Sequence, residues 1–257
     1  DGSLEVRSLR SLHQQQALHR SLAGCVVGST YMRQHLIAHG FDPERVHTVP
    51  LFAGTPDAAA PEPTDDDSVE TYLLFVGQLT RGKGLDILLH ALAHLPEPVP
   101  LAVIGDGPQA SEYRDLAMRL GLDDSVVFLG RRSPGFVTRM YRKSTVLVLP
   151  SRTPETFGLV GVEAMSHGLP TIAARVGGIG EWLEDGFTGL FFESGNVPEL
   201  AACVERLWTN PAEAHHLGAA GQRACQDRFT PERHADALLD VFSTLVERRP
   251  GFRSGHA

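Results

Sequence analysis

The chain has 257 residues, of which 42% are hydrophobic, enough to bury a sizeable core in one or two domains. Its 31 acidic residues outnumber its 23 lysines and arginines, and the resulting formal net charge of −8 argues against general binding of nucleic acid. The 3 cysteines lie far apart in the sequence, which excludes a disulfide framework or a zinc motif and indicates a reducing, cytoplasmic compartment.

The first 52 residues predict a short α/β segment that is too small for an independent domain. Its patterns favour helices and strands in alternation, with Ser29 as a helix cap, over residues 8–22 (helix), 24–28 (strand), 30–39 (helix) and 46–49 (strand). A stretch rich in Pro, Ala and Asp over residues 53–70 predicts a linker. Because the chain begins at Asp1 and not at a methionine, we interpret it as a fragment or a processed chain. Nothing at its start resembles a signal peptide.

Six short apolar runs between residues 71 and 193 alternate with helical patterns, at residues 72–76, 101–104, 126–129, 146–149, 171–173 and 190–192. The runs are continuously hydrophobic, as in strands that are buried on both faces. Residues 85–95 and 109–120 predict two of the intervening helices, and the chain beyond Asn196 predicts helices to about residue 248. This rhythm predicts an α/β fold with a Rossmann-like parallel sheet and helices on both faces.

The loop after the first of these strands, residues 77–84, has a pattern that suits an anion. It leaves the carboxyl end of a strand and opens a helix, where backbone amides and partial positive charge face a ligand. Glycines allow close backbone approach and two cations attract a diphosphate, so the candidates are Gly77, Gln78, Arg81 and Lys83. The spacing is neither a Walker A loop nor G-x-G-x-x-G, so a solvated turn with two exposed cations is an equal alternative.

Two more glycine turns follow predicted strands. Residues 105–108 permit a tight turn at Gly105, with Pro108 at the first helical position, and a structural turn explains them better than a ligand contact through Asp106. Residues 177–181 predict close backbone approach to a ligand or to a neighbouring chain segment, followed by a helix around Trp182. A simple strand–helix turn explains this second pattern equally well.

Residues 151–165 carry the strongest pattern. A helix predicted over residues 158–167 would offer the amides of Phe157, Gly158 and Leu159 to a phosphate or sugar oxygen. Glu155 lies just before this helix and Glu163 lies more than one turn inside it, so the two carboxylates would accept hydrogen bonds from different parts of one extended ligand. Capping by Glu155 and a surface position for Glu163 form the alternative, which the apolar surroundings disfavour.

The order and spacing of these motifs over residues 72–192 resemble glycosyltransferase family four, a large family of retaining enzymes with the GT-B fold. The family segments V-G-R-L-x-x-x-K-G, G-x-G-P, E-G-F-G-L-x-x-x-E-A, G-G-I-P-E and D-G-x-T-G-L match, in that order, residues 76–84, 105–108, 155–164, 177–181 and 185–190. The resemblance implies a donor-binding half of a GT-B fold. Its parts would be an N-terminal-domain remnant, a linker, a nucleotide-sugar-binding domain and a C-terminal helix with tail, at residues 1–52, 53–70, 71–228 and 229–257.

The resemblance also implies a role for single residues. Lys83 matches the lysine that contacts the donor diphosphate, Glu155 the glutamate that contacts the donor sugar, and Glu163 the glutamate that binds the ribose hydroxyls. The backbone around the sugar and phosphate would be supplied by Gly77, Gln78, Gly105, Thr156, Phe157, Gly158 and Leu159. The base would be bound by main chain near Gly130 and Arg131.

Two departures from the family pattern affect these assignments. Gln78 stands where the family has a second diphosphate-binding cation, an arginine, and we hypothesise that Arg81 replaces its charge. Thr156 and Gly180 stand where glycine and proline are common, and both are compatible with the same turns. None of the 12 histidines can be assigned to the family's histidine near the donor sugar, which belongs to the N-terminal domain.

The implied activity is transfer of a sugar from a UDP- or GDP-sugar to an unidentified acceptor with retention of configuration, without a cofactor or a metal ion. Positive side chains and helix amides would stabilise the leaving diphosphate, and no Asp-x-Asp or His/Asp cluster follows any predicted strand. The alternatives are a GT-B phosphorylase or epimerase and a non-catalytic nucleotide-sugar-binding module. The resemblance is compatible with peripheral membrane association through the N-terminal domain, and no pattern indicates an oligomeric state.

Overall fold

The computed structural model describes residues 22–54 and 71–247. Its larger part is a six-stranded parallel sheet. The strands are β3 (Leu73–Val76), β4 (Leu101–Ile104), β5 (Val126–Gly130), β6 (Val146–Leu149), β7 (Thr171–Ala174) and β8 (Gly189–Phe192). They lie side by side in the order β5-β4-β3-β6-β7-β8. Successive strands step outward from β3 to β5, and the chain then returns to place β6 beside β3. The order of the strands therefore reverses between β3 and β6, the point at which ligands bind in sheets of this kind.

Helices cover both faces of this sheet. They are α2 (Leu85–Ala93), α3 (Ala110–Arg119), α4 (Pro134–Lys143), α5 (Leu159–Ser166), α6 (Val197–Thr209) and α7 (Pro211–Arg228). Along strands β3, β4 and β6, alternate residues enter two separate apolar cores. Helices α2, α3 and α6 pack into one core, α4 and α5 into the other, and α7 contributes to both. The α/β fold with a helix-covered parallel sheet is thereby confirmed.

Three local predictions are wrong in detail. Helix α3 begins at Ala110 after a turn in which the Ala110 amide donates to the Gly107 carbonyl oxygen (3.0 Å), so Pro108 precedes the helix. No α-helix forms around Trp182, which instead ends a 3-10 turn, Gly177–Glu181. Gly158 is the left-handed cap of α5 (φ 83°) and not part of the helix.

The N-terminal described segment forms a small α/β unit: β1 (Cys25–Val27), α1 (Thr30–Ala38) and β2 (Val46–Thr48), with β1 and β2 parallel. Ser29 caps α1 as predicted, since its hydroxyl oxygen accepts a hydrogen bond from the Met32 amide (3.1 Å). The predicted helix at residues 8–22 lies outside the described residues, apart from Leu22 at its end.

The last helix, α8 (Pro231–Glu247), packs against this N-terminal segment. The His234 ring nitrogen lies 2.7 Å from the Pro50 carbonyl oxygen, and the Leu245 side chain lies so close to Gly24 that a Cβ there would be 2.6 Å from it. Just before α8, the Phe229 carbonyl oxygen accepts from the Ala53 amide (3.3 Å). The end of the chain therefore lies beside its N-terminal segment.

Two structural findings bear on location and on metal binding. Within the described ranges, no helix has the length and apolar character needed to cross a bilayer. Over the same residues, no group of three or more His, Cys, Asp or Glu side chains is placed to hold a metal ion. Metal independence and a cytoplasmic location stay predictions.

Candidate functional site

A cleft of about 350 Å³ opens where the strand order reverses. The loops after β3 and β6 line it from two sides, and the start of α5 closes it. Its lining comprises Phe75, Val76, Gly77, Gln78, Lys83, Leu149, Pro150, Ser151, Glu155, Thr156, Gly158, Leu159 and Val160. The volume falls in the range of small-molecule sites, and an apolar floor with a few polar groups is typical of them.

The two loops are fastened to each other by backbone contacts. A Cβ on Gly84 would lie 2.0 Å from the Pro150 carbonyl oxygen, and Gly84 adopts a left-handed conformation (φ 69°), so glycine is required where the loops meet. The Arg152 amide donates to the Gly82 carbonyl oxygen (2.8 Å). The Arg152 guanidinium also holds both carboxylate oxygens of Asp86 at 2.5 and 2.7 Å. These contacts fix the spacing between the turn that carries Lys83 and the loop that carries Glu155.

Lys83 and Glu155 meet across the cleft. The Lys83 ammonium nitrogen donates to both oxygens of Glu155, at 2.7 and 2.9 Å. The hydroxyl of the buried Ser151 donates to the same carboxylate at 2.5 Å. With 36% of the Lys83 side chain and 16% of the Glu155 side chain exposed, the pair is partly screened from water and still reachable by a ligand.

The loop that carries Glu155 rests on the 3-10 turn Gly177–Glu181. The Gly178 amide donates to the Glu155 carbonyl oxygen (2.7 Å), and a Cβ on Gly177 would lie 2.2 Å from that oxygen. The Trp182 indole N–H donates to the Phe157 carbonyl oxygen (2.6 Å). The glycines of this turn thus approach a neighbouring chain segment, one of the two predicted explanations, and they support the site from behind.

The first turn of α5 faces the cleft. Gly158, Leu159 and Val160 line it directly. The first amides of a helix have no acceptor within the helix, and the helix dipole places partial positive charge there. The cleft therefore combines one ammonium group, one carboxylate and a set of helix amides, which can hold an anionic ligand that also carries hydroxyl groups.

Glu163 lies one turn beyond Val160 on α5, next to the lining residues but not among them. Its carboxylate accepts a hydrogen bond from the Tyr141 hydroxyl of α4 (3.0 Å). Burial raises the pKa of Glu163 above its ordinary value, and the hydrogen bond from Tyr141 acts in the opposite direction. Burial and the neighbouring carboxylate also raise the pKa of Tyr141.

The structure brings seven of the predicted site residues together in the cleft: Gly77, Gln78, Lys83, Glu155, Thr156, Gly158 and Leu159. The others lie outside its lining. The Gly105 amide donates a hydrogen bond to the Gly130 carbonyl oxygen (3.0 Å) at the carboxyl ends of β4 and β5. Arg131 is exposed, and the Phe157 ring is buried against Phe229.

Arg81 does not join this group either. Its side chain is 79% exposed and lies 3.7 Å from the Glu112 carboxylate of α3. The cleft-lining residue of the same turn is Lys83. The Arg81 charge thus lies outside the cleft lining in this structure. That Arg81 replaces the charge missing at Gln78 stays a prediction.

Sequence reasoning missed two residues that support the site. Ser151 was part of a motif, yet nothing marked its hydroxyl as a partner of Glu155. Tyr141 lies on α4, a helix whose bounds were not predicted, and 22 positions separate it from Glu163. No periodic pattern links residues at that separation, so only the packing of α4 against α5 reveals the pair.

The raised pKa of Glu163 leads to a stability prediction. A carboxyl group whose pKa is higher in the folded than in the unfolded chain stabilises the fold at low pH, and this contribution disappears as the pH rises through the folded pKa. Glu163→Gln keeps an acceptor for Tyr141 and removes the charge. We expect its melting temperature, relative to the original chain, to increase between about pH 4 and pH 8, by roughly 3–5 °C for each pKa unit of elevation.

The matched control is Glu205→Gln, which makes the same charge change at an exposed position of α6. Thermal unfolding of the three proteins, followed by circular dichroism across the pH range, measures the effect. A flat difference between Glu163→Gln and the original chain would show that the Glu163 carboxylate is not destabilised by burial.

Comparison with known proteins supplies the family. The model of the family described as "Glycosyl transferases group 1" matches residues 59–224, more than half of the chain. A D-inositol 3-phosphate glycosyltransferase from Rhodococcus jostii (strain RHA1) is 32% identical over 259 aligned positions, which cover 94% of this chain and 57% of that protein. A protein of the same name from Streptomyces bingchenggensis (strain BCW-1) is 35% identical over 71% of this chain and 42% of its own length. The chain thus spans about half the length of these relatives.

Solved structures show the same architecture. Anabaena Alr3699/HepE, in complex with UDP and glucose, superposes with a TM-score of 0.81 at 24% identity, over 93% of this chain and 68% of its own. Sucrose-phosphate synthase from Thermosynechococcus elongatus gives a TM-score of 0.80 at 25% identity, over 95% and 63%. The family match, the identity to the named relatives and the shared fold together lead to one conclusion: this chain belongs to the glycosyl transferases group 1 family.

Proposed function

We propose that this chain forms the donor-binding half of a retaining glycosyltransferase that uses a UDP- or GDP-sugar. The observation that carries the proposal is the meeting of Lys83 and Glu155 at the edge of the sheet where the strand order reverses, 2.7 Å apart. An ammonium group and a carboxylate in one cleft suit a ligand with a charged diphosphate and a hydroxyl-rich sugar. The UDP complex of HepE, a protein of the same fold, agrees with a nucleotide-sugar donor.

The cleft suggests how such a donor lies. The diphosphate would contact Lys83 and the amides at the start of α5. The sugar would lie against Glu155 and Thr156, and the ribose would reach Glu163 one turn further along α5. The base would extend toward Gly130 and Arg131 at the end of β5, outside the lining described above.

In the proposed reaction, an acceptor hydroxyl attacks the anomeric carbon from the face that the diphosphate leaves. The new C–O bond forms as the bond to the β-phosphate oxygen breaks, and the hydroxyl proton passes to that oxygen. Lys83 and the α5 amides stabilise the negative charge that develops on the leaving group. Glu155 accepts hydrogen bonds from sugar hydroxyls and so orients the anomeric carbon.

The same proposal divides the chain into domains. Residues 71–228 would form the donor domain, residues 1–52 the last part of an acceptor-side domain, and α8 the helix that joins the two. The acceptor would bind largely to parts that lie beyond this chain. D-inositol 3-phosphate, named for the relatives, is the first acceptor to test.

A thermal-shift screen tests donor binding. A ligand that binds the folded chain stabilises it, by about 2.7 kcal/mol at 100 times its dissociation constant. We expect UDP, GDP or a sugar nucleotide of one of them to raise the melting temperature by about 5–10 °C at that concentration. Free ribose 5-phosphate and inorganic diphosphate serve as controls that carry only part of the ligand.

The absence of any shift with UDP-, GDP- and ADP-sugars would contradict the proposal. A shift without donor hydrolysis or transfer by this chain, and with transfer by a protein that also contains the acceptor side, would support a donor-binding half. Donor binding without turnover in both would instead support a non-catalytic nucleotide-sugar-binding module.

A further inference from the structure

A tyrosine on α4 lies directly beneath the α5 carboxylate that borders the cleft. The Tyr141 hydroxyl donates to the Oε2 oxygen of Glu163 at 3.0 Å. Glu163 is one turn from Val160, which lines the cleft. Tyr141 itself is buried, at 3% exposure, in the core between α4, α5 and the sheet. The hydroxyl therefore reaches the carboxylate from the buried core.

The tyrosine ring has little freedom to move. Its ring stacks on that of His167, the residue that caps the C-terminal end of α5, with centroids 5.8 Å apart and planes inclined by 22°. Buried rings packed in this way lose their rotameric freedom, so the hydroxyl is held at a fixed position. A donor in a fixed position selects one rotamer of the carboxylate that it binds.

The second carboxylate oxygen of Glu163 has a different environment. Within the described residues, Oε1 accepts no hydrogen bond, and it is absent from the buried polar atoms that lack a partner. It therefore reaches solvent. One oxygen of the carboxylate is thus occupied by the protein, and the other is available to a ligand hydroxyl.

Burial and the Tyr141 hydroxyl are the two influences that shift the pKa of Glu163, and the other nearby groups have different partners. At the C-terminal end of α5, the cap residue His167 has a lowered pKa, because burial and the nearby Arg142 of α4 disfavour its charged form. From α7, the Cys225 thiol donates to the Val162 carbonyl oxygen and not to the carboxylate. Strands β6 and β7 contribute apolar side chains to this core. The Tyr141 hydroxyl is the group that favours the ionised carboxylate by hydrogen bonding.

We propose that Tyr141 is a positioning residue for donor recognition: its hydroxyl fixes the Glu163 carboxylate so that Oε1 accepts hydrogen bonds from the ribose hydroxyls. This inference rests on the proposed function, in which Glu163 contacts the ribose. It assigns the discrimination between ribose and deoxyribose nucleotides to a pair of residues, one of which never touches the ligand. The preference for ribose then requires both the fixed rotamer and the ionised state of Glu163.

The test compares UDP and GDP with their 2′,3′-dideoxy counterparts by titration calorimetry, in the original chain and in Tyr141→Phe. We expect the original chain to prefer the ribose form by about tenfold or more, and Tyr141→Phe to lose about five- to tenfold of that preference. We also expect the pH at which ribonucleotide affinity falls to move upward in Tyr141→Phe, because the hydrogen bond that lowers the Glu163 pKa is gone.

The matched control is Tyr113→Phe. Tyr113 is also buried, and its hydroxyl donates to the Thr80 carbonyl oxygen (3.0 Å) in the other core. Loss of this hydroxyl removes one partly buried hydrogen bond, in the core on the opposite side of the sheet from Tyr141. Any effect of Tyr113→Phe on affinity should be equal for the ribose and dideoxyribose nucleotides, so the preference stays unchanged.

A double-mutant cycle with Glu163→Gln covers the case in which Tyr141→Phe changes packing. If Tyr141 acts through the carboxylate, Tyr141→Phe changes ribose preference in the original chain and leaves it unchanged in Glu163→Gln. An equal change in both backgrounds, or an unchanged preference and pH midpoint in Tyr141→Phe, would overturn the inference. Should Tyr141→Phe not fold, the same cycle with His167→Gln, which removes the ring stacked on Tyr141, must show the coupling.

Failure of this inference is distinguishable from failure of the proposed function. If the original chain binds neither UDP nor GDP, or binds the ribose and dideoxyribose forms equally, the donor site or the role of Glu163 is wrong. If the original chain prefers ribose and Glu163→Gln loses this preference while Tyr141→Phe keeps it, the donor site stands and the role of Tyr141 is refuted.

Discussion

Replacement of Lys83 by alanine is expected to weaken binding of the nucleoside diphosphate by about 100-fold or more. Lys83 is the cation of the cleft lining, and its ammonium group bonds the Glu155 carboxylate. Without it, an entering diphosphate would face a carboxylate whose charge is no longer neutralised. The loss therefore combines a missing attraction with a new repulsion, and calorimetry with UDP and GDP measures it directly.

Arg81→Ala is the matched control, because it removes one positive charge from the same 3-10 turn. Arg81 is exposed and paired with Glu112, so we expect the diphosphate affinity to change by no more than about threefold. Equal losses in both variants would show that the turn contributes only a diffuse positive field. Unchanged affinity in Lys83→Ala would remove the anion site from the cleft.

A second comparison separates the two ends of the proposed donor. Glu155→Gln keeps the shape of the side chain and removes the charge that Lys83 neutralises, so the diphosphate alone should bind at least as tightly as before. The sugar nucleotide should gain less, because a carboxylate acceptor for sugar hydroxyls is lost. The ratio of the two affinities thus reports on Glu155, whereas Lys83→Ala lowers both.

The architecture was predictable because buried parallel strands have a simple sequence pattern. Runs such as residues 101–104 and 146–149 are continuously apolar and agree with β4 and β6 to the residue. Since the carboxyl ends of parallel strands meet at one edge, the loops after β3 and β6 could be expected to share a site. The reversal of strand order between them explains why the cleft lies there.

Side-chain partners were not predictable in the same way. Lys83 and Glu155 are 72 positions apart, and Tyr141 and Glu163 are joined only by the packing of two helices. The position of Arg81 outside the cleft lining has a local reason. In a 3-10 turn with three residues per turn, residues two positions apart point to different sides, so the side chains of Arg81 and Lys83 diverge. Sequence proximity alone does not show which of the two cations faces the cleft.

The largest effect on stability is expected at Gly105, which directly follows β4, next to the loop that lines the cleft. Its φ of 143° is one that side-chain-bearing residues rarely adopt, and a Cβ there would lie 1.8 Å from the Gly77 carbonyl oxygen. The Gly77 carbonyl is backbone at the sheet edge, where the Gly77 amide donates to the Ile104 carbonyl oxygen (3.0 Å), so it cannot move cheaply. Backbone strain and overpacking each cost about 1–3 kcal/mol. We therefore expect Gly105→Ala to lower the free energy of unfolding, measured in urea, by about 2–6 kcal/mol.

Two other glycines separate these causes. Gly180 has no heavy atom within 4 Å of a Cβ, so Gly180→Ala should change the free energy of unfolding by less than about 0.5 kcal/mol. Gly130 has a φ of 68° and equally open surroundings, so Gly130→Ala should cost only the backbone strain, about 1 kcal/mol. The order Gly105, Gly130, Gly180 is therefore fixed by geometry. If Gly105→Ala were as stable as Gly180→Ala, the Gly77 carbonyl oxygen could not lie as close to Gly105 as the structure shows. The close approach of the ends of β3 and β4 beside the cleft would then be wrong.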